Sequence, residues 1–368
     1  MKVVIAPDSF KGSITAADAA TALAKGWASV DPFAEIVLRP MADGGEGTVA
    51  AFAAAVPGAE LIPVTVDGPA GRPVAAQWLL LPPSDTDAGG TAVIDLASTS
   101  GIELMDELRP WDADSTGFGQ AIAAALDQGA SRLVLGIGSS ASTDGGLGML
   151  TVLGARFFDA AGKPVVRGAR GLTEVAEVDL SALRPAPETL VLTDVTNPLV
   201  GPRGAAAVFG PQKGLTEPQD ILAVDGALAR WGRLLGLDPT HPGSGAAGGV
   251  GGALIAWGGV LAPGAGEVAQ LIGLADAIAT SDIVVTGEGS YDGQSSEGKV
   301  PSHVAGLAAA AGTGAMLVAG RITEDADASA FAASVSLTDI AGSSAAALAE
   351  PARHLRAAGV SLAREQTR

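Results

Sequence analysis

Short β-branched and aliphatic runs, each followed by an alanine-rich stretch, recur at both ends of this 368-residue chain. That alternation constrains the fold more than any other feature. Val3–Ala6 reads as a buried strand and Thr15–Val30 as a helix, with Ser13 or Thr15 as N-cap and Pro32 closing it. Glu35–Leu38 is a strand leading into the helical run Val49–Val56, and Leu61–Val66 is again strand-like. From Ile283 the same rhythm returns, with strands at Ile283–Thr286, Ala315–Ala319 and Val335–Leu337 and helices over 302–311 and 344–358. Strands alternating with helices predict an α/β protein with a largely parallel sheet.

Neither end supplies enough strands for a stable doubly wound sheet alone. The sequence therefore predicts one discontinuous Rossmann- or flavodoxin-like domain from residues 1–66 and 276–368, with a second α/β domain, 67–275, inserted. The middle has another texture. Val74–Leu81 and Ala92–Leu96 look like a hairpin joined by loop 82–91. Ser115–Gln128 and 217–236 read as helices, Arg132–Ile137 and Leu190–Thr193 as buried strands, and Gly243–Gly252 as a glycine-rich connection.

Charge and composition exclude several classes of function. With 22 basic and 40 acidic residues, the formal net charge of -18 argues against nucleic acid or an anionic membrane as partner. The absence of cysteine removes disulfides, zinc-thiolate sites and thiol nucleophiles. His241, His303 and His354 are not spaced as metal ligands. The uncharged run from Pro242 to Gly266 is broken by glycine and proline, so a membrane span is not expected. A cytoplasmic location follows as the expectation.

The chemistry-bearing residues lie at glycine-rich turns. Met41-Ala-Asp-Gly-Gly-Glu-Gly-Thr48 joins a strand to a helix, where glycine admits close backbone approach and a helix N-terminus attracts anions. Its carboxylates repel an anion unless a cation lies between, which suits Mg²⁺ with a phosphate; the alternative is a tight turn whose Glu46 and Thr48 cap the helix. Asp144-Gly-Gly146 and Thr286-Gly-Glu-Gly289 repeat the theme. Gly136-Ile-Gly138-Ser-Ser-Ala141, with Asp159 downstream, loosely matches a dinucleotide fingerprint, but Thr143–Gly146 displaces the helix that should follow. Gly243-Ser-Gly245-Ala-Ala-Gly248 has similar spacing without a preceding strand, and suits either anion binding or close helix packing. Gly293–Val300 falls one residue short of a P-loop and lacks its metal-binding hydroxyl, although Lys299 suits a phosphate contact. Asp8, Ser9 and Lys11 follow the first strand, where open parallel sheets bind ligands. Asp194, at a strand end before Thr196-Asn197-Pro198, is the best candidate to accept a proton from a substrate hydroxyl; its alternative is a turn-forming residue.

Taken together, Ala6–Ser13, Met41–Thr48, Asp194–Leu199, Phe209–Gly214, Gly245–Gly249 and Thr286–Gly289, with Asp292, Gln294, Ser295 and Gly298-Lys299, resemble the bacterial glycerate kinase family in the same order along essentially the whole chain. The resemblance implies two α/β domains with an active site in the cleft between them. It also implies Mg²⁺- and ATP-dependent phosphorylation of D-glycerate, more usually at the 2-hydroxyl than at the 3-hydroxyl. The expected catalytic residues are Asp194, Lys11 and Asp8, with Ser9, Asp43, Gly44, Gly45, Glu46 and Asn197 binding substrate. Gly138, Ser139, Asp144, Gly145, Gly146, Gly245, Gly248, Gly287, Gly289 and Lys299 are expected at the nucleotide, and Glu288 and Asp292 at the metal. The expected state is monomer or homodimer.

Two departures from the family pattern stand out. Ser139 adds a side chain, and Thr143 exchanges one, in a loop that often reads Gly-Gly-Ser-Ala-Thr-Asn-Asp-Gly-Gly. Ser290 replaces the arginine that commonly follows Gly-Glu-Gly, so Lys299, Lys11, Lys213 or Arg321 must supply the missing charge. Two other readings remain open: a nicotinamide-dependent dehydrogenase using Gly136–Ala141, and a non-catalytic sugar-acid-binding protein.

Overall fold

A computed structural model describes residues 1–83, 88–293 and 299–366. Its strands, in chain order, are β1 (Lys2–Pro7), β2 (Glu35–Leu38), β3 (Glu60–Asp67), β4 (Pro73–Leu80), β5 (Thr91–Asp95), β6 (Arg132–Gly136), β7 (Arg156–Phe158), β8 (Glu177–Asp179), β9 (Glu188–Leu192), β10 (Val260–Ala262), β11 (Ile283–Tyr291), β12 (Gly314–Ile322) and β13 (Ala333–Ser336). The chain divides into two compact units. The first holds Met1–Asp43, Ala50–Pro57 and Pro263–Arg368; the second holds Gly44–Val49 and Gly58–Ala262.

The first unit is built on a five-stranded sheet in the order β13-β12-β11-β1-β2, parallel throughout. β1 and β11 pair directly, with Val3 opposite Ile283 and Pro7 opposite Gly287, so strands from the two ends of the chain complete one sheet. Counted within the unit, the order is 5-4-3-1-2, the flavodoxin-like arrangement, whose strand order reverses between β1 and β11. Buried aliphatic runs explain these strands: Val3, Val4, Ile5, Val284, Leu317 and Val318 are almost fully shielded, as a sheet covered on both faces requires. The helices Ala16–Ala28 and Pro351–Gln366 pack backbone to backbone. A side chain at Gly26 would strike the Arg356 carbonyl, and one at Gly359 would strike that of Leu23.

In the second unit the order is β10-β9-β6-β5-β4-β3, with β5, β6, β9 and β10 parallel and β3 and β4 antiparallel; β7 and β8 form a separate ribbon. Its core gathers Trp78, Phe118, Trp231 and Ile94. The units divide differently from the expected boundaries at 66 and 276. β3 pairs with β4 over its whole length, because Asp67–Gly71 is a hairpin turn in which Gly68 N–H donates to Arg72 O and Gly71 takes a left-handed φ of 74°. The helix Gly264–Leu271 belongs with the first unit. β4 and β5 form the expected antiparallel pair, although residues 84–87 of their loop lie outside the described residues. Among the described residues no helix is long and apolar enough to cross a membrane.

Candidate active site

Ligands of open parallel sheets bind beyond the strand carboxyl ends, at the point where strand order reverses. In the first unit that point is the end of β1 beside β11, and a cavity of about 460 Å³ opens there. β1 stops at Pro7, opposite Gly287, whereas β11 continues to Tyr291 alongside β12. The projecting end carries Glu288 and Ser290 on one face by strand alternation. Asp8 N–H donates to Gly287 O at 2.8 Å, tying the loop after β1 to β11. Gly289 permits this approach, and Gly287 a close one to β12. A Cβ at 287 would strike the Val318 carbonyl, and one at 289 would lie 3.3 Å from the Lys11 nitrogen.

The cavity wall alternates charges. Asp8 and Glu288 are buried, Asp43 is half-buried, and Lys11 stands 3.5 Å from Asp43. Burial and then the neighbouring charge of Asp43 hold the Asp8 carboxyl well above the usual carboxylate range; Glu288 adds to this, while the Ser9 N–H bond and Lys11 oppose it. The Asp43 charge raises Lys11 in turn. Lys299 lies 3.6 Å from Glu288 and 3.5 Å from Asp292, so those two carboxylates already converge on one cation. Phe10, Leu337, Ala347 and Leu348 give the cavity an apolar side.

The donor set fits Mg²⁺ bound with a nucleotide. Such an ion takes hard oxygen ligands and needs only one or two carboxylates when phosphates supply the rest. No group of three acidic or histidine side chains among the described residues is arranged to hold an ion by itself. Gln294, Ser295 and Gly298, named from the sequence, lie outside the described residues.

In the second unit several residues expected at the nucleotide pack closely against their neighbours. Asp144 is fully buried and accepts five hydrogen bonds: from Ser115 N–H (2.9 Å), Ser115 Oγ (2.7 Å), Ser142 Oγ (2.9 Å), Gly146 N–H (3.1 Å) and Gly148 N–H (3.2 Å). Those bonds fasten the start of the helix Leu147–Val152. Gly145 N–H donates to Gly248 O, and Trp231 Nε1 donates to Gly145 O at 2.8 Å. A side chain on Gly248 would strike the Ser142 carbonyl, one on Gly245 the Pro198 carbonyl, and one on Gly146 the Ala253 side chain. Asp144, Gly145, Gly146, Gly245 and Gly248 are thus packed against neighbouring backbone and side chains.

Gly138 follows the same logic. Its N–H donates to Gly44 O at 3.0 Å, and a Cβ there would lie 2.5 Å from Gly45 Cα. Gly44 in turn packs on Leu192, where a Cβ would meet the carbonyl at 2.6 Å. The expected dinucleotide loop therefore has another backbone, rather than a helix N-terminus, against it. Ser139 is held at a left-handed φ of 58°. Glu46 is exposed, and Asn197 donates to Arg203 O at 2.8 Å within its own loop. Asp194 is exposed just beyond β9; it belongs to the second unit, whereas every residue lining the cavity belongs to the first.

Two further features depend on how the chain packs. Lys213 is buried, donates to Ser140 Oγ and Ser142 O at 2.6 Å each, and is pushed by burial down to about 7, with Asp144 opposing. Leu337, Thr338, Ser344 and Leu348 line the cavity from ordinary short helices, which carry no recognisable motif.

Comparison with known proteins matches residues 3–366 to the glycerate kinase family. The chain belongs to that family. It is 41% identical to the glycerate 2-kinase of Escherichia coli (strain K12) over 336 residues, 88% of this chain and 86% of the relative. It is 40% identical to a glycerate kinase of Bacillus subtilis (strain 168) over 340 residues, 89% of this chain and 87% of that one. A crystal structure from Salmonella typhimurium LT2, provisionally named glycerate kinase 2, superposes with a TM-score of 0.83 at 37% identity, covering 100% of this chain and 98% of the other. Membership in the glycerate kinase family makes this an enzyme of kinase type, and kinases use ATP.

Proposed function

We propose that the protein transfers the γ-phosphoryl group of ATP, with Mg²⁺, to the 2-hydroxyl of D-glycerate. The observation that carries this reading is the charge pattern at the β1/β11 switch point, where Asp8, Asp43, Glu288 and Asp292 surround Lys11 and Lys299 in a cavity of about 460 Å³ with an apolar side. That volume lies within the range of small-molecule sites. The name of the Escherichia coli relative supports the 2-position.

On this reading Glu288 and Asp292 hold the metal and Lys299 meets the phosphates. Phe10, Leu337 and Leu348 face the nucleotide base, and Lys11, oriented by Asp43, takes the glycerate carboxylate with Ser9. The bound metal supplies positive charge for the phosphoryl oxygens. Burial and then the Asp43 charge shift Asp8 toward its protonated form, and added positive charge in the cavity shifts it back toward the ionised one. In the transfer, the substrate oxygen forms its bond to phosphorus as the bond to the ADP oxygen breaks. We assign Asp194 as the carboxylate that receives the hydroxyl proton. Phosphoryl transfer needs mostly positioning and charge, and little help from a base.

A coupled ADP-release assay with D-glycerate, L-glycerate, glycolate and tartronate tests the substrate, with D-glycerate expected to be preferred. Proton-coupled ³¹P spectra of the product decide the position, because a phosphate on the C2 methine gives a doublet and one on the C3 methylene a triplet. No ADP release with D-glycerate above the rate with ATP alone refutes the reading.

A further inference from the structure

Three cations line the cavity of the first unit, and they are not equivalent. Lys11 stands against Asp43, and Lys299 against Glu288 and Asp292. Arg321 has no carboxylate partner among the described residues; its Nε donates to the neutral hydroxyl of Ser290 at 2.9 Å. The two residues face each other in register across β11 and β12, on the part of the ribbon that projects past β1. The bond to Nε fixes the plane of the guanidinium. It leaves both Nη groups as donors on an exposed side chain at the cavity wall. A guanidinium held by a neutral partner keeps its full charge for an incoming oxyanion and presents a fork suited to two oxygens at once.

Position along β11 selects the anion. Ser290 lies between Glu288 and Asp292, the pair assigned to the metal, whereas Lys11 and Ser9 approach from the loop after β1. We infer that Arg321, oriented by Ser290, is the residue that grips the polyphosphate of the nucleotide and so makes the site select phosphate-rich nucleotides. This rests on the proposed kinase reading for its ligand class, but not on turnover.

The test is calorimetric titration of MgADP and of MgAMP into wild type, Arg321→Met, Arg321→Lys and Ser290→Ala, with steady-state KM values measured in parallel. Arg321→Met is expected to weaken MgADP about 10-fold or more, the scale of a charge-assisted bond to phosphate. Arg321→Lys should recover part of the loss, since charge returns without the fork, and Ser290→Ala should cost about 2- to 5-fold. MgAMP affinity should change less than MgADP affinity, and the KM for D-glycerate should stay within about 2-fold of wild type. Unchanged MgADP affinity in a folded Arg321→Met protein overturns the inference, as does a loss confined to the KM for D-glycerate. Wild type that binds MgADP but does not phosphorylate glycerate would sink the kinase reading while leaving the Arg321 result to stand or fall by itself.

Discussion

Replacing Asp144 by asparagine separates a structural carboxylate from a nucleotide ligand, and the geometry fixes the size of the effect. One oxygen accepts from Ser115 N–H, Ser115 Oγ and Gly148 N–H; the other accepts from Ser142 Oγ and Gly146 N–H. An amide must place its NH₂ on one side. On the first side it would confront two backbone N–H groups, so the cheaper orientation turns it toward Ser142 and Gly146. The Ser142 hydroxyl can reverse, but the Gly146 N–H is left without an acceptor in a fully buried site. An unsatisfied buried donor costs about 1–3 kcal/mol, and the three surviving bonds lose their charge assistance at roughly 1 kcal/mol each. Buried Lys213 also loses its neighbouring countercharge. Relief of carboxylate desolvation offsets part of this, leaving about 3–5 kcal/mol, the usual cost of breaking a buried charged network from one side.

Tryptophan fluorescence in a urea titration is a suitable assay, because the Trp231 indole donates to Gly145 O next to the altered residue. The expected outcome is a large fall in the transition midpoint, with MgATP affinity near wild type in protein that remains folded. Stability within about 1 kcal/mol of wild type, together with a tenfold weaker MgATP, would refute the reasoning and return Asp144 to the nucleotide.

Three further outcomes follow from named groups. The Lys213 amine has a folded value of about 7 against an ordinary 10.5, so between those values the unfolded chain binds more protons and stability rises with pH. The gain from this group is roughly 2 kcal/mol from about pH 7 to about pH 9; urea midpoints of Lys213→Met, referenced to wild type, should lack that rise. Asp194→Asn should lower kcat by about 10²-fold or more with MgATP affinity unchanged, while Lys11→Ala should act mainly on the KM for glycerate. Retention of more than about a tenth of kcat in Asp194→Asn removes Asp194 from the reaction.

The sheet of the first unit was readable because its strands are short aliphatic runs bounded by alanine-rich helices. Pairing of the two chain ends followed from counting them. The partition of β3 was not readable. Its alternating pattern suits an edge position in either sheet, and only the hairpin turn at Asp67–Gly71 decides which. The acidic and basic residues after β1 and β11 were identifiable as one group because parallel strands deliver their carboxyl ends to the same place. The glycine motifs of the second unit were open to two readings for a physical reason. A glycine that admits a phosphate and one that admits another backbone satisfy the same steric condition, and Gly248 against the Ser142 carbonyl is of the second kind. Ser290 and Arg321 are 31 residues apart, so only the register of β11 and β12 brings them together.

A chain of net charge -18 that binds a triphosphate must overcome its own field, and the cavity suggests how. Asp8, Asp43, Glu288 and Asp292 outnumber Lys11, Lys299 and Arg321 along the wall, and Glu288 and Asp292, the pair assigned to the metal, share Lys299. Two like charges about 4 Å apart repel by roughly 4 kcal/mol at the effective dielectric of a protein surface. A bare polyphosphate placed against Glu288 and Asp292 therefore meets a penalty that Lys299 and Arg321 offset only in part, whereas one carrying Mg²⁺ reverses the sign of its nearest contacts. On the proposed reading, ATP titrated in EDTA should bind at least 10²-fold more weakly than MgATP, about 2.7 kcal/mol. The difference should shrink when Glu288→Gln removes one of the repelling carboxylates. Because both arms measure binding, the comparison does not depend on turnover. Equal affinity with and without the metal would mean that the carboxylates do not face the phosphates, and the assignment of Glu288 and Asp292 would fall.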